Sequence, residues 1–216
     1  MKVLIIIAGY HFGKEHINNI QILDTYMKQS GANIEYCGIS SHDDFYIFED
    51  TIQFKYKIIN NKLQLSKICD FITEYKEQLD YNWYIKIRPD IKLLDHIPYD
   101  KLSEDAINGR ARVYQGLKQI KYGNSVYGKG RYKHVNHSHY VNCEDHIILD
   151  DMIYIFHKNI IQKGAFEKIP PTPPDTNENE WFHSNIFTER NIKMNVIGIN
   201  MYNTKLEVYS GNINIM

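Results

Sequence analysis

Cysteines, long apolar runs and glycine-rich motifs are scarce in this chain of 216 residues. The three cysteines, Cys37, Cys69 and Cys143, are widely spaced, odd in number and form no CxxC pair. This usage indicates reduced thiols in a cytoplasmic setting rather than a disulfide framework. The apolar run from Val3 to Ala8 is too short for a signal-peptide core or a membrane span, so it predicts a buried strand.

Several signature motifs of nucleotide chemistry and hydrolysis are absent. The predicted first strand is followed only by Gly9 and Gly13, without a P-loop or a GxGxxG motif, which disfavours kinases and NAD-dependent dehydrogenases. The absence of a GxSxG elbow disfavours an α/β-hydrolase. His137, His139, Cys143 and His146 lack the tight paired spacing of most zinc sites, so polar loop residues are the favoured interpretation and a zinc hydrolase is a third alternative.

Acidic residues are missing from one long segment. Residues 106–143, which we call the basic segment, contain no Asp or Glu but carry seven Lys and Arg residues and three histidines. The whole chain has 25 basic and 26 acidic residues, so the remainder is acidic. A local positive field attracts anions. The alternative is a solvated basic loop without a ligand.

The periodicity of the first part of the chain predicts a β-α-β-α-β order. Its pieces are a strand at Lys2 to Gly9, a helix through Ile17 to Met27, a strand at Ile34 to Ser40, a helix through Ile68 to Leu79 and a strand at Tyr81 to Arg88. This alternation predicts an α/β fold with a largely parallel sheet and helices on both faces.

The later part of the chain has weaker patterns. We expect a short helix at Lys101 to Glu104, a strand at Ile107 to Tyr114, a long functional or mobile loop at Gly116 to Tyr140, a strand at Met152 to Phe156, helices at Asn159 to Phe166 and Glu178 to Glu189, and a strand at Met194 to Ile199. No internal repeat or domain linker is evident, so residues 1–216 are interpreted as one domain.

The most informative segment runs from Trp83 to Asp90. Apolar and polar residues alternate up to Arg88, and Pro89 cannot donate to a sheet, so the strand should end there. Ligands of open α/β sheets lie beyond the carboxyl ends of the strands. Asp90 is therefore predicted to lie where a metal or a phosphorylated ligand is held, with a turn-capping aspartate as the alternative.

A second acidic feature is the adjacent pair Asp150 and Asp151, directly before an apolar strand. One of the two carboxylates would face a sugar hydroxyl in a central cleft or act as a base. The alternative is again a turn cap at the end of a loop.

The order of these features resembles that of GT-A glycosyltransferases, most of all the small viral and bacterial enzymes that build capsid or surface glycans. The matching segments span most of the chain and are Val3 to Tyr10, Trp83 to Asp90, Asp150 to Tyr154, and Glu178 to Phe182 leading to Asn191 to Met194. The Arg-Pro-Asp segment is the most specific of them. The resemblance implies a single GT-A-like (Rossmann-like) domain with a mixed, mainly parallel central sheet.

The resemblance also implies a function: metal-assisted transfer of a sugar from a nucleoside diphosphate sugar, with a UDP-sugar as donor and a glycan or glycoprotein as acceptor. The family's usual metal motif is Asp-x-Asp. Asp90 would take its place and hold Mn²⁺ or Mg²⁺, although Arg88 replaces the first carboxylate. The implied donor-binding residues are Ala8, Gly9, Tyr10, Phe12, Arg88, Asp90, Lys129 and Arg131, and the implied catalytic residues are Asp151 and, second, Asp150.

Two details of this hypothesis have alternatives of their own. Tyr10 and Phe12 would flank a uracil ring, and burial in the core is the competing interpretation. Basic residues of the segment from Gly116 to Lys133 would supplement or partly replace the metal. The competing function is a non-catalytic nucleic-acid-binding protein that uses the tyrosine-rich basic segment, but near-neutral total charge and the lack of an RNA-binding motif disfavour it.

Overall fold

The computed structural model describes residues 1–62, 64–122, 125–135, 146–167 and 186–203, with the backbone alone at 111–150 and at 203. The strands are β1 (Lys2–Ala8), β2 (Asn33–Ser40), β3 (Phe54–Ile59), β4 (Trp83–Ile87), β5 (Ile91–Leu93), β6 (Ala106–Tyr122), β7 (Ser125–Val135), β8 (His146–His157), β9 (Lys193–Val196) and β10 (Met201–Asn203). The α-helices are α1 (Ile17–Gln29), α2 (Gln64–Tyr75) and α3 (Lys158–Gln162), and single 3₁₀ turns occur at Lys14–His16, Phe45–Phe48, Lys76–Gln78 and Tyr99–Lys101.

One large mixed sheet organises the fold. Its strand order is β3-β2-β1-β4-β8-β6-β7, with β9 beside β6, and a separate two-stranded sheet joins β5 to β10. The strands β1 to β4 are mutually parallel, whereas β8 pairs antiparallel with β4 and β6 pairs antiparallel with β8. The predicted α/β class, with a mixed and mainly parallel central sheet flanked by helices, is confirmed.

Helices cover both faces of the parallel half. On one face α2 packs through Leu65, Ile68 and Ile72 against Leu4 and Ile6 of β1. On the other face, residues Ile20, Leu23 and Met27 of α1 form a cluster with Val3, Ile5 and Ile7 of the same strand. A strand covered on both faces needs apolar side chains at every position, which explains the uninterrupted run Val3 to Ala8.

The chain order creates a crevice between β1 and β4. The connection from β1 through α1 leads to β2 on one side of β1, and the connection from β3 through α2 returns to β4 on its other side. The direction in which the chain crosses the sheet therefore reverses between β1 and β4. This topological switch point is the position at which open α/β sheets bind ligands.

The prediction of a long loop at Gly116 to Tyr140 is wrong over the part that the structure describes. Residues up to Tyr122 continue β6, and β7 pairs back along it from Ser125 to Val135. The interpretation as a loop gave weight to the glycine and lysine content, whereas the segment also holds β-forming residues and a Gly-Asn pair typical of hairpin turns. Residues 136–140 lie outside the described residues.

Smaller differences concern the shorter elements. Strand β3 was not predicted, and a 3₁₀ turn at Tyr99–Lys101 replaces the short helix expected at Lys101 to Glu104. The helix expected from Asn159 is the short α3, which ends at Gln162. Most of the predicted helix Glu178 to Glu189 lies outside the described residues, and residues 186–189 are helical. Over the described parts of the chain, none of the helices has the length and apolar character needed to cross a bilayer.

Candidate functional site

The first wall of the crevice is the turn that follows β1. The Gly9 amide donates to the Ile39 carbonyl at 3.0 Å, which holds the turn against the end of β2. A Cβ atom on Gly9 would lie 2.9 Å from Cγ of Pro89, so glycine permits the ends of β1 and β4 to approach each other. The Asn19 side chain of α1 donates to the Pro89 carbonyl at 3.1 Å. Gly9 and Pro89 therefore meet at one edge of the sheet.

Tyr10 presents its ring to solvent at this wall. Its exposed fraction is 70%, and the ring of His42 lies edge-on to it with 5.1 Å between centroids. The Tyr10 backbone is well anchored, because its carbonyl accepts from the Ser41 amide at 3.0 Å and from the Ser40 hydroxyl at 3.3 Å. A fixed backbone with an exposed ring suits a planar ligand such as a nucleobase.

Ala8 and Phe12 lie in the core instead. Ala8 is fully buried, and the Phe12 ring is buried against Phe48, Phe45 and Phe54, with a stacked contact of 5.1 Å to Phe48. The Phe12 amide donates to the Asp44 carboxylate at 2.7 Å. The idea that Phe12 flanks a uracil ring is therefore corrected in favour of its alternative, burial in the core.

Lys67 of α2 contacts the same turn, and the sequence analysis did not predict this contact. Its buried ammonium donates to the Gly9 carbonyl and to the Ser41 hydroxyl, both at 2.8 Å. Burial lowers the pKa of Lys67 to about 8, and the Asp44 carboxylate opposes part of that decrease. Helical spacing indicated only that this part of α2 faces the core, so nothing local in the sequence signalled the contact.

The second wall is a charged cluster beyond β4. Arg88 donates to both carboxylate oxygens of Asp90, from Nε at 2.9 Å and from a terminal nitrogen at 2.6 Å. Its other terminal nitrogen lies 3.4 Å from Oδ1 of Asp151. The Arg88 amide donates to the Met152 carbonyl at 3.0 Å, which places Asp151 of β8 at the same edge. The structure thus brings together predicted residues from two separate segments, Arg88 and Asp90 from one and Asp151 from the other.

Two further basic residues lie beside this cluster. Lys86 of β4 is fully buried, donates to the Asp151 carbonyl and has its ammonium 5.2 Å from the centroid of the Tyr154 ring. Arg110 of β6 is also fully buried. The strand register pairs Gly109 with Tyr154 and Ala111 with Leu149, so Arg110 lies opposite residues 150–153. The alternation in β4 places Lys86 on the face opposite Ile85 and Ile87, and both faces of the strand are buried.

Asp90 does not fit the divalent ion that the sequence predicts. Both of its oxygens are engaged by Arg88, and Mg²⁺ would need to approach an oxygen to about 2.0–2.1 Å. Among the residues that the structure describes, no group of three or more His, Cys, Asp or Glu side chains is arranged to hold a metal. A metal at Asp90 would have to share the carboxylate oxygens with the Arg88 guanidinium and would be repelled by its positive charge.

The remaining predicted residues are placed by backbone alone or lie outside the description. Asp150 is in β8, next to Asp151. Lys129 pairs with Lys118, and Arg131 pairs with Gln115, in a hairpin that extends past the same edge of the sheet. Of the zinc-like group, His146 begins β8, and His137, His139 and Cys143 lie outside the described residues.

Comparison with known proteins supports the fold. No protein-family model matches the sequence, and a search of curated proteins found no significant match. The structure is similar to that of UDP-glucose pyrophosphorylase complexed with UDP-glucose, at 12% identity over 94% of this chain and 92% of that chain, with a TM-score of 0.50. It is also similar to CMP:2-keto-3-deoxy-manno-octonic acid synthetase complexed with CTP, at 12% identity over 96% and 95% of the two chains, with a TM-score of 0.51.

A weaker likeness links this chain to a glycosyltransferase involved in the glycosylation of the major capsid of PBCV-1. The identity is 8% over 90% of this chain and 80% of that chain, with a TM-score of 0.47. At such identities a structural likeness establishes a shared fold and leaves the activity to be argued from the site. The chain therefore shares its mixed α/β fold with UDP-glucose pyrophosphorylase and CMP:2-keto-3-deoxy-manno-octonic acid synthetase.

Proposed function

We propose that this protein is a glycosyltransferase that uses a nucleoside diphosphate sugar, with a UDP-sugar as the favoured donor and a glycan or glycoprotein as acceptor. The observation that supports this proposal is the meeting of an exposed aromatic ring, Tyr10, and a charged cluster around Arg88 at one crevice of the sheet. A nucleotide sugar needs both kinds of contact, one for its base and one for its diphosphate.

Each wall of the crevice binds a different part of the donor. The base stacks on the Tyr10 ring, because nucleobases gain contact area and dispersion energy on aromatic faces. The diphosphate lies towards Arg88, whose forked guanidinium matches phosphate oxygens in geometry and charge. Gly9 lies between the two, at the point where the ends of β1 and β4 approach each other.

The chemistry is a substitution at the anomeric carbon. The bond from this carbon to the diphosphate oxygen breaks, and the departing nucleoside diphosphate keeps the electron pair. A hydroxyl of the acceptor forms the new bond and loses its proton. Positive groups near the leaving oxygen stabilise the charge that develops there. Asp151 takes the role of sugar contact or proton acceptor, and Asp150, its neighbour in β8, is the second candidate.

The fold comparison adds support of a general kind. Two of the similar structures, with TM-scores of 0.50 and 0.51, are named as complexes with UDP-glucose and with CTP. They also make nucleotidyl transfer, in which a nucleoside triphosphate and a sugar phosphate yield the nucleotide sugar, a natural competing outcome. The nucleic-acid hypothesis rests on the basic segment, whose described part is a hairpin rather than a loop.

The first experiment measures nucleotide binding by thermal shift. UDP, CDP, GDP and ADP are added separately to the protein, each with Mn²⁺ and each with EDTA, and we expect UDP to give the largest increase in Tm. Tyr10→Ala should remove most of that increase, because loss of base stacking costs about 1–3 kcal/mol. Tyr46→Ala is the matched control, since Tyr46 is 67% exposed, close to the 70% of Tyr10.

Product analysis then separates the competing activities. Release of UDP from a UDP-sugar in the presence of glycan acceptors supports glycosyl transfer. Release of pyrophosphate from UTP and a sugar 1-phosphate would replace the proposal with nucleotidyl transfer. Failure of every nucleoside diphosphate to change Tm, together with steeply salt-dependent binding of RNA, would favour the nucleic-acid hypothesis.

A further inference from the structure

We propose that the guanidinium of Arg88 is the resident cation of this site and binds the donor diphosphate in the position where the Asp-x-Asp family would use a divalent metal. This inference rests on the proposed function and specifies how its diphosphate subsite works. It follows from the contacts among Arg88, Asp90 and Asp151.

The guanidinium lies between two carboxylates. It contacts both oxygens of Asp90, at 2.9 and 2.6 Å, and Oδ1 of Asp151 at 3.4 Å. One carboxylate follows the end of β4, the other lies within β8, and both converge on one positive group, which is the arrangement expected around a bound cation. Here that positive group belongs to the protein, and a dication added beside it would meet both charge repulsion and occupied ligand atoms.

The part of the cluster that faces solvent is the positive part. The Arg88 side chain is 22% exposed, whereas those of Asp90 and Asp151 are 3% and 7% exposed. An anion that enters the crevice therefore meets the guanidinium before it meets either carboxylate. The carboxylates hold the planar group in one orientation, which reduces the entropy lost when it binds phosphate oxygens.

The decisive measurement is calorimetric binding of UDP and of inorganic pyrophosphate to the wild-type protein, once with EDTA and once with Mn²⁺. We expect both probes to bind in EDTA, with affinities within about threefold of those in Mn²⁺, a difference of less than 1 kcal/mol. Binding of UDP that requires Mn²⁺ would overturn the inference and leave the proposed function intact. Absence of UDP binding in both conditions would overturn both.

Two variants test the position of the guanidinium. Arg88→Ala leaves Asp90 and Asp151 facing each other without it, so Mn²⁺ should raise the Tm of this variant and not that of the wild type. Arg190→Ala is the control, because it removes a second arginine whose guanidinium donates to two backbone carbonyls, those of Ala165 and Glu167. If Arg88→Ala is soluble and Mn²⁺ leaves its Tm unchanged, the guanidinium does not occupy a cation position between the two carboxylates.

Arg88→Lys keeps the charge and covers the case in which the alanine variant does not fold. Lysine is a point charge and cannot contact two carboxylates and a phosphate in one plane. We expect pyrophosphate in EDTA to bind this variant at least about tenfold more weakly than the wild type, the equivalent of one charge-assisted hydrogen bond. Equal binding of pyrophosphate to Arg88→Lys and wild type would overturn the role of the planar group.

Discussion

The burial of the Lys67 ammonium predicts how the free energy of unfolding depends on pH. Burial lowers the pKa of Lys67 in the folded protein from 10.5 to about 8. Between those two values the folded protein loses this proton before the unfolded chain does. The unfolded state then binds more protons, so the free energy of unfolding contributed by Lys67 rises as pH rises.

The magnitude follows from the two pKa values. At about 1.4 kcal/mol for each pKa unit, the buried charge costs the folded state roughly 3 kcal/mol below pH 8. Between pH 7.5 and 9.5 the folded protein loses this proton, and about 2 kcal/mol of that cost disappears. The Lys67→Met variant has no proton to lose, so the wild type should gain about 2 kcal/mol relative to it across this range.

Urea denaturation at fixed ionic strength, at pH 7.5, 8.5 and 9.5, measures this difference. Buried Tyr36, Tyr81 and Tyr84, whose pKa values are raised by burial, destabilise the fold at high pH as the unfolded chain ionises, but they contribute equally to both proteins and cancel. Lys28→Met is the control, since the Lys28 side chain is 70% exposed and should leave the pH slope unchanged. A difference between wild type and Lys67→Met that stays flat or falls with pH would refute the reasoning.

Three further predictions concern packing and thiol reactivity. Gly9→Ala should cost about 1–3 kcal/mol in urea denaturation, because its Cβ would lie 2.9 Å from Pro89, and unchanged stability would contradict that close approach. Phe12→Ala should cost about 3–5 kcal/mol as a buried aromatic truncation, and a cost below about 1 kcal/mol would place its ring outside the core. Cys37 and Cys69 are buried, and burial raises the pKa of both thiols. A thiol reagent should therefore label at most Cys143 in the native protein and all three cysteines in denaturant. Rapid labelling of more than one cysteine in the native protein would contradict this burial.

The parts of the fold that the sequence predicted are those with strong local patterns. The apolar run of β1 reflects a strand that is buried on both faces, and the spacing of apolar residues in α1 reflects a helix that is buried on one face. Both elements lie where the sequence predicted them. The β6–β7 hairpin was missed because strand formation there depends on a partner strand, and residue content alone favoured a loop. Strand β3, at the edge of the sheet, was missed although Phe54, Tyr56 and Ile58 alternate with exposed lysines, the pattern of a strand with one covered face.

The candidate site shows the same division. The rule that ligands bind beyond the carboxyl ends of strands placed Gly9 and Asp90 at one edge, and the structure has them there. The bidentate contact between Arg88 and Asp90 depends on the geometry of the turn at Pro89, and no periodicity encodes it. Lys67 reaches Gly9 across 58 positions of sequence, so only the packing of α2 could reveal it.

The burial of Lys86 in a central strand has a consequence for how the protein assembles. The β-α-β-α-β portion can form its parallel ladders from neighbouring segments, and until β8 is added β4 is an open edge. Lysine on such an edge opposes association with strands of other molecules. When β8 pairs with β4, the Lys86 ammonium donates a hydrogen bond to the Asp151 carbonyl. The side chain that protects the open edge is then buried in the complete sheet.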